Sequence, residues 1–344
     1  MILSIVIPVF NEAEALPVLL PALKPVLESM DCDYELLFVN DGSKDQSADI
    51  LRELASNDPR VKVLNFARNF GHQAAITAGL DFASGDAVVV MDADLQDPPE
   101  LLPEMLKLFR QGYDVVSAQR AERTGEGIFK RGSASAFYWL MRKAVDERLV
   151  DQVGDFRLFS RAAVLAIRQF REQHRFMRGL VAWLGLKEVI IPFRRQPRAA
   201  GTTKYPLVRM LRFAWTAITS FSGLPLRVCL GGGTLLTCGG IVYMLYVLYA
   251  TLVKRATSPG WSSLVCLQTI YSGAILIAIG LVGEYVAKIY EESKGRPLYV
   301  VSDALNVSTQ EMDPSRATVL PRRPAVQQNS QQEQAQSPVE VGAR

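Results

Sequence analysis

Two stretches of this chain carry no charged side chain: Val228 to Val253, and Ala256 to Gly283, the second densely apolar from Leu264 onward. A helix needs about 20 predominantly apolar residues to cross the hydrocarbon core of a bilayer, and each stretch is long enough. Buried helices of a soluble core rarely run so far without a charge, so the pair predicts a membrane hairpin. Lys254 and Arg255 are the basic residues of the short connection, whereas a larger basic excess precedes Val228, and Lys288, Lys294 and Arg296 follow the second stretch. Basic residues concentrate on the cytoplasmic side, which predicts that both termini are cytoplasmic and that the Lys254–Ser262 connection faces outward.

Ahead of the hairpin, the segment from Tyr205 to Ser222 places Leu207, Leu211, Ala214, Ile218 and Phe221 at three- and four-residue spacing, opposed by Arg209, Arg212, Thr216 and Thr219. That pattern predicts an amphipathic helix lying in the membrane interface. Phe176 to Leu186, with Trp183, reads as a second one. Arg194, Arg195, Arg198, Lys204, Arg209, Arg212 and Arg227 crowd into the same region, although the formal net charge of the chain is only +3. The local excess points to phosphate groups or an anionic membrane surface, and the small net charge argues against nucleic acid.

None of the four cysteines belongs to a C-x-x-C pair, and Cys229, Cys238 and Cys266 sit in apolar stretches. They read as small buried hydrophobes in a reducing compartment, not as a zinc site or a disulfide framework. The opening MILSIVIPVFNE lacks a basic segment and meets Glu12 too early to read as a secretory leader. From about Val307 the chain is rich in Gln, Ser and Pro, which predicts a disordered tail.

Residues 1–120 alternate short β-branched runs with helical stretches: SIVIPV, then Glu14–Met30; ELLFVN, then Gln46–Ala55; VKVLNF, then Gln73–Ala83; AVVVMD, then Pro99–Gln111; then DVVSAQ. Strands that are apolar throughout and separated by helices predict a mostly parallel sheet covered on both faces. Ligands of such sheets bind beyond the carboxyl ends of the strands. Those ends carry Pro8, Asn11 and Glu12; Asn40, Asp41 and Gly42; Arg68 and Asn69; Asp92, Asp94 and Gln96; and Arg120. A single polar strand end is a turn, but a series of them makes a site.

The first strand is followed by FNEAEA where a dinucleotide would call for G-x-G-x-x-G, and no G-x-x-x-x-G-K-[ST] occurs, which disfavours reductases and ATPases. Asp92 and Asp94 alone would repel a nucleotide diphosphate. A hard divalent cation held by their oxygens reconciles the two, and Mg2+ or Mn2+ suits that donor set.

Six motifs occur in order: IVIPVFNE, VNDGSKD, RNFG, DADLQDPPE, GDFRLFSR and RAAGTTKY. Together with paired C-terminal spans they resemble the polyprenyl-phosphate glycosyltransferases of the inverting GT-A type in glycosyltransferase family 2. The chain is most similar to bacterial bactoprenol (undecaprenyl-phosphate) glucosyltransferases, and more distantly to dolichyl-phosphate mannose synthases. The resemblance covers roughly residues 1–300. It implies a GT-A domain over 1–204, an interfacial helix over 205–226, a transmembrane hairpin over 227–290, and a cytoplasmic tail over 291–344.

It also implies roles. Pro8, Glu12 and Asp41 would hold the nucleobase and ribose; Asp92, Asp94 and Gln96 would bind the metal. Arg120, Lys130 and Arg131 would surround the donor or acceptor phosphate, and Arg198 and Lys204 would close over the diphosphate. Asp155, in GDFRLFSR, would orient the acceptor, or take its proton. Asp41 alternatively caps the helix that follows it. His72 and His174 read as a helix-start residue and an interfacial residue, since no Ser or Cys nucleophile pairs with them.

The expected activity is transfer of a sugar from a nucleotide sugar, with UDP-glucose the first candidate, onto undecaprenyl phosphate with inversion. Its expected place is the cytoplasmic face of a bacterial inner membrane, in a homo-oligomer such as a tetramer, with a flippase as possible partner. Mannose, N-acetylhexosamine and modified arabinose donors share the same contacts, so the sugar stays open. A scaffold that only binds nucleotide sugars is the other class of function. A processive polysaccharide synthase would carry a Q-x-x-R-W segment and more spans, and neither is present.

Overall fold

The apolar runs of the first 120 residues form the elements they predict: β1 (Ile2–Val9), α1 (Leu16–Glu28), β2 (Asp33–Asn40), α2 (Ser47–Asn57), β3 (Val61–Phe66), α3 (His72–Phe82), β4 (Ala87–Val90), a 3-10 turn (Pro99–Leu101) leading into α4 (Leu102–Arg110), and β5 (Val115–Arg120). The computed structural model describes residues 1–120, 153–193, 219, 223–252, 260–307 and 318–319. After β5 it continues with β6 (Val153–Ser160), α5 (Arg161–Arg168), α6 (Met177–Leu184), β7 (Glu188–Phe193), α7 (Leu224–Leu252), α8 (Trp261–Ser293), β8 (Val300–Leu305) and β9 (Thr318–Val319). Lys130, Arg131, Arg198, Lys204 and nearly all of the expected interfacial helix lie outside the described residues.

One nine-stranded sheet runs in the order β7-β5-β6-β4-β1-β2-β3-β8-β9. β1 pairs in parallel with β2 and β4, and β2 with β3, as expected. The sheet is mixed, however, because β6 enters antiparallel between β4 and β5, and β8 closes against β3 antiparallel. Alternate residues of each central strand are buried on opposite faces. Ile5, Ile7, Leu36 and Phe38 pack under α1, α2 and α4, while Val6, Leu37, Val39 and Val90 pack under α3, α5 and α6. This two-sided burial is why the strands are apolar throughout.

α6 departs from its expected interfacial placement. Met177, Leu180 and Val181 are buried in the domain and Trp183 alone stands out, 66% exposed. The apolar spacing that suggested a membrane face serves the core instead. Gly185, at φ 63°, ends the helix in the left-handed conformation.

Among the described residues, two helices are long and apolar enough to cross a membrane, over Pro225–Tyr246 in α7 and Ile270–Ser293 in α8. Their apolar side chains are outward-facing, with Leu230 at 73%, Leu235 at 75% and Ile277 at 70% exposure. α8 has 33 residues, roughly 50 Å at 1.5 Å per residue, and outruns the charge-free stretch by its last turns. Those turns meet the sheet domain: Glu292 Oε1 accepts from Gln173 N at 2.6 Å, and Arg296 O accepts from Gln173 Nε2 at 2.5 Å. Lys288 Nζ donates to Thr219, the one described residue of the segment ahead of the hairpin.

The chain then returns to the sheet as β8, with Val301 and Ala304 buried. The expected boundaries at 204 and 291 therefore put two strands of the sheet, β8 and β9, in the tail, and β9 pairs with β8 beyond the expected onset of disorder at about 307. Strand pairing supplies the order that the polar composition alone does not predict.

Candidate active site

The carboxyl ends of β1 to β4 share one edge of the sheet, and their loops are laced together. Asn11, at φ 57°, accepts from Lys44 N through Oδ1 at 2.8 Å, and its own N–H meets Ser43 Oγ at 3.0 Å. Asn40 accepts from Ser43 N at 3.0 Å and donates to Asn65 Oδ1 at 2.9 Å. Pro8 is buried within β1, and Glu12 opens the turn into α1, its N–H bonded to Ser47 Oγ at 2.9 Å.

Asp41 is buried, and its two oxygens accept from Phe70 N at 2.6 Å and Gly71 N at 3.0 Å. Burial pushes this carboxyl up, and the two N–H donors offset part of the rise. Rather than capping α2, Asp41 anchors the loop that leads into α3. Gly42, at φ 67°, permits the approach, because a Cβ there would sit 2.6 Å from the backbone carbon of Arg68. Arg68 in turn lies over the Phe70 ring, 4.5 Å from its centre.

The acids after β4 form a tight loop instead of a solvated turn. Asp97 Oδ2 accepts from Asp92 N at 3.1 Å, Asp94 Oδ1 accepts from Gln96 N at 3.2 Å, and Leu95 sits in the left-handed region at φ 56°. Such backbone strain in a non-glycine residue gathers at functional sites. Gln96 Oε1 is buried without a hydrogen-bond partner among the described residues. A buried, orphaned amide oxygen in the loop that carries Asp92 and Asp94 fits a hard cation, which would satisfy it. No group of three or more His, Cys, Asp or Glu among the described residues is placed to hold a metal ion, so the fit rests on this mixed set of carboxylate and amide oxygens.

Register brings Asp155 to these acids. Val90 of β4 pairs with Arg157 of the antiparallel β6, and the same register continued outward sets Asp92 across from Asp155. His72, at the head of α3 as expected, spans them: Nε2 lies 3.6 Å from Asp92 Oδ1 and 3.4 Å from Asp155 Oδ2. Burial opposes a charge on this ring, but contact with Asp155 and the charge of Asp92 outweigh it and push its pKa up to about 9. Asp155 shows the converse. Burial would raise its carboxyl, yet the charge of Arg178 and the contact with His72 hold it far below the usual carboxylate range.

Of the expected site residues, the structure thus gathers Asp92, Asp94, Gln96 and Asp155, and places Pro8, Glu12 and Asp41 on the same edge of the sheet. The backbone of Arg120 ends β5 on this edge too. His72, Gln73 and Arg178 were missed as site residues. Their signal is the pairing of β6 with β4, which no local pattern reveals.

The domain matches the family model described as "Glycosyl transferase family 2" over residues 4–168. Among curated relatives, an uncharacterized glycosyltransferase of Bacillus subtilis, YkcC, is 46% identical over 90% of this chain and 96% of its own length. The bactoprenol glucosyl transferase of Shigella phage SfV is 40% identical over 88% of this chain and 98% of its own. Among solved structures, glucosyl-3-phosphoglycerate synthase from Mycobacterium tuberculosis, in complex with Mg2+ and UDP, aligns over 63% of this chain and 76% of its own, at 17% identity and a TM-score of 0.44.

Proposed function

The chain belongs to glycosyl transferase family 2, and from that premise we propose that this glycosyltransferase moves glucose from UDP-glucose to undecaprenyl phosphate, with inversion, at the cytoplasmic face of a membrane. One observation carries the reading: Asp92 and Asp155 meet over His72 at the carboxyl edge of the sheet, in a chain whose second membrane-length helix is hydrogen-bonded to the same domain. The bactoprenol glucosyl transferases among the relatives supply the sugar and the lipid.

Asp92, Asp94 and Gln96 are the residues that would hold Mg2+ or Mn2+, which when bound supplies positive charge against the diphosphate. Pro8, Glu12 and the loop that Asp41 anchors form the nucleoside side of the site. Arg120, Arg198 and Lys204 stabilise the negative charge that builds on the departing diphosphate. Lys130 and Arg131 receive the acceptor phosphate.

Asp155 acts here as an orienting carboxylate and not as an obligatory base. A phosphate monoester has a second pKa near 6 and carries its own nucleophilic charge at neutral pH. A carboxyl held ionised by Arg178 and His72 has little tendency to take a proton. The same two cations offset the acid's repulsion of an anionic acceptor.

The test is to incubate detergent-purified protein with Mg2+, undecaprenyl phosphate and a panel of labelled nucleotide sugars, and to follow label into the organic phase. Glucose label is expected there. Label from a different sugar would reassign the donor, and no label from any donor would overturn the reading.

A further inference from the structure

Asp155 is only 12% exposed in its side chain, and both its oxygens are engaged. Arg178 Nε lies 3.2 Å from Oδ1, while His72 Nε2 and Gln73 Nε2 lie 3.4 Å and 3.5 Å from Oδ2. Gln73 spans two helices. Its Oε1 accepts from Met177 N at 3.0 Å, and Met177 is the first residue of α6, where a backbone N–H has no partner within the helix. The amide of Gln73 therefore pins the start of α6 to the start of α3, with Asp155 beneath the junction. Arg178, the next residue of α6, is thereby delivered to the acid.

We propose that Arg178 and Gln73 are positioning residues for the sugar transfer, fixing the carboxylate of Asp155 at the point where it meets the acceptor phosphate. The proposal rests on the reading of Asp155 given above and adds the residues that make its placement rigid. Arg178 holds one oxygen, Gln73 limits where α6 can begin, and together they hold the carboxylate against His72, which also reaches Asp92. Arg157, buried on β6, bonds to Gly154 O through Nε at 3.3 Å and lies 3.6 Å from Glu188 of β7, so it reaches Asp155 through its charge, while the contacts at Oδ1 and Oδ2 come from Arg178, His72 and Gln73. An acid displaced by a fraction of an ångström would still bind donor and fold normally, but would misplace the acceptor. The signature is thus a fall in turnover with little change in donor affinity.

The experiment measures kcat and donor KM for transfer to undecaprenyl phosphate in Arg178→Gln, Arg178→Lys, Gln73→Leu, Asp155→Asn and the Arg178→Gln/Asp155→Asn double variant, with thermal unfolding as a check on folding. Arg178→Gln is expected to lower kcat by roughly 10- to 100-fold, with donor KM within about threefold. Arg178→Lys should recover much of the loss by restoring a charge to one oxygen. In the Asp155→Asn background, Arg178→Gln should cost less than about twofold more, because residues that act as a unit are not additive.

Parental kcat in Arg178→Gln, or losses that multiply in the double variant, would overturn the proposal. Should Arg178→Gln fail to fold, parental kcat in both Arg178→Lys and Gln73→Leu would do so. A parent that transfers no sugar to undecaprenyl phosphate overturns the proposed function and this inference with it, whereas an active parent with unaffected variants overturns this inference alone.

Discussion

Tyr299 donates its hydroxyl to Asp81 Oδ2 at 2.7 Å, which ties the chain emerging from the second membrane-length helix to the far end of the helix that begins with His72. Arg171 grips the same carboxylate at 2.7 and 3.2 Å, and the Tyr299 ring stacks on Phe66 with centroids 5.2 Å apart. The sheet domain is therefore completed only after the hairpin has been made, and the two long helices are an insertion into it.

Removing the Tyr299 hydroxyl while keeping the ring isolates this tie. Tyr299→Phe is expected to destabilise the domain by about 1.5–3 kcal/mol, the usual worth of a hydrogen bond to a charged group. Ending the chain after Pro297 should prevent folding, since Tyr299, Val301 and Ala304 are all core residues. Thermal unfolding in detergent checks both, and a truncated chain that melts like the parent would refute the insertion.

α3 packs so closely on β1 that a Cβ at Gly79 would lie 2.0 Å from Val6 Cγ1. Gly79→Ala is accordingly expected to destabilise by roughly 1–3 kcal/mol through overpacking, despite the better helix propensity of alanine. A rise in melting temperature would show that the helix can lift off without cost.

Much of this architecture is legible in residues 1–120 because each strand there is an apolar run and each helix has its own period. What is not legible depends on pairing between distant segments. GDFRLFSR reads as a motif, but nothing in it says that β6 runs antiparallel between β4 and β5, and so that Asp155 faces Asp92 and His72 lies between them. VVSDAL, in a polar segment after the second long apolar helix, has too short a pattern to announce a further strand of the sheet. For α6 the apolar spacing is read correctly and its partner is not, because a core and a bilayer ask for the same periodicity.

Asp94→Asn is expected to leave the protein folded and to lower metal-dependent transfer by about 100-fold or more, because an amide supplies no charge to hold the cation. Asp92→Asn should act in the same direction, more mildly. The check is a metal titration of each variant; near-parental rates with unchanged metal dependence would remove both acids from the metal site.

With its pKa displaced downward, Asp155 stays ionised at every pH above that lowered value and does not titrate between about pH 5.5 and 8.5. The acid limb of the parental rate should instead follow the acceptor's second pKa near 6. Asp155→Asn should retain measurable transfer that improves as pH rises through that value. A variant without transfer at any pH, at saturating lipid phosphate, would make the acid indispensable in some other way.

Topology can be read by labelling. In a background without the four native cysteines, a cysteine replacing Ser258 should react with an impermeant reagent in intact cells, and one replacing Ser56, exposed on α2, should not. Labelling at position 56 would invert the orientation.

The most direct measurement is the product itself. Detergent-purified protein, UDP-glucose, Mg2+ and undecaprenyl phosphate are incubated, the organic phase is weighed by mass spectrometry, and UDP release is followed in the same tube. The account predicts a lipid carrying a single hexosyl unit, formed in equal amount to the UDP released. UDP release without a glycolipid, or a polymer in place of the single-sugar product, would contradict it.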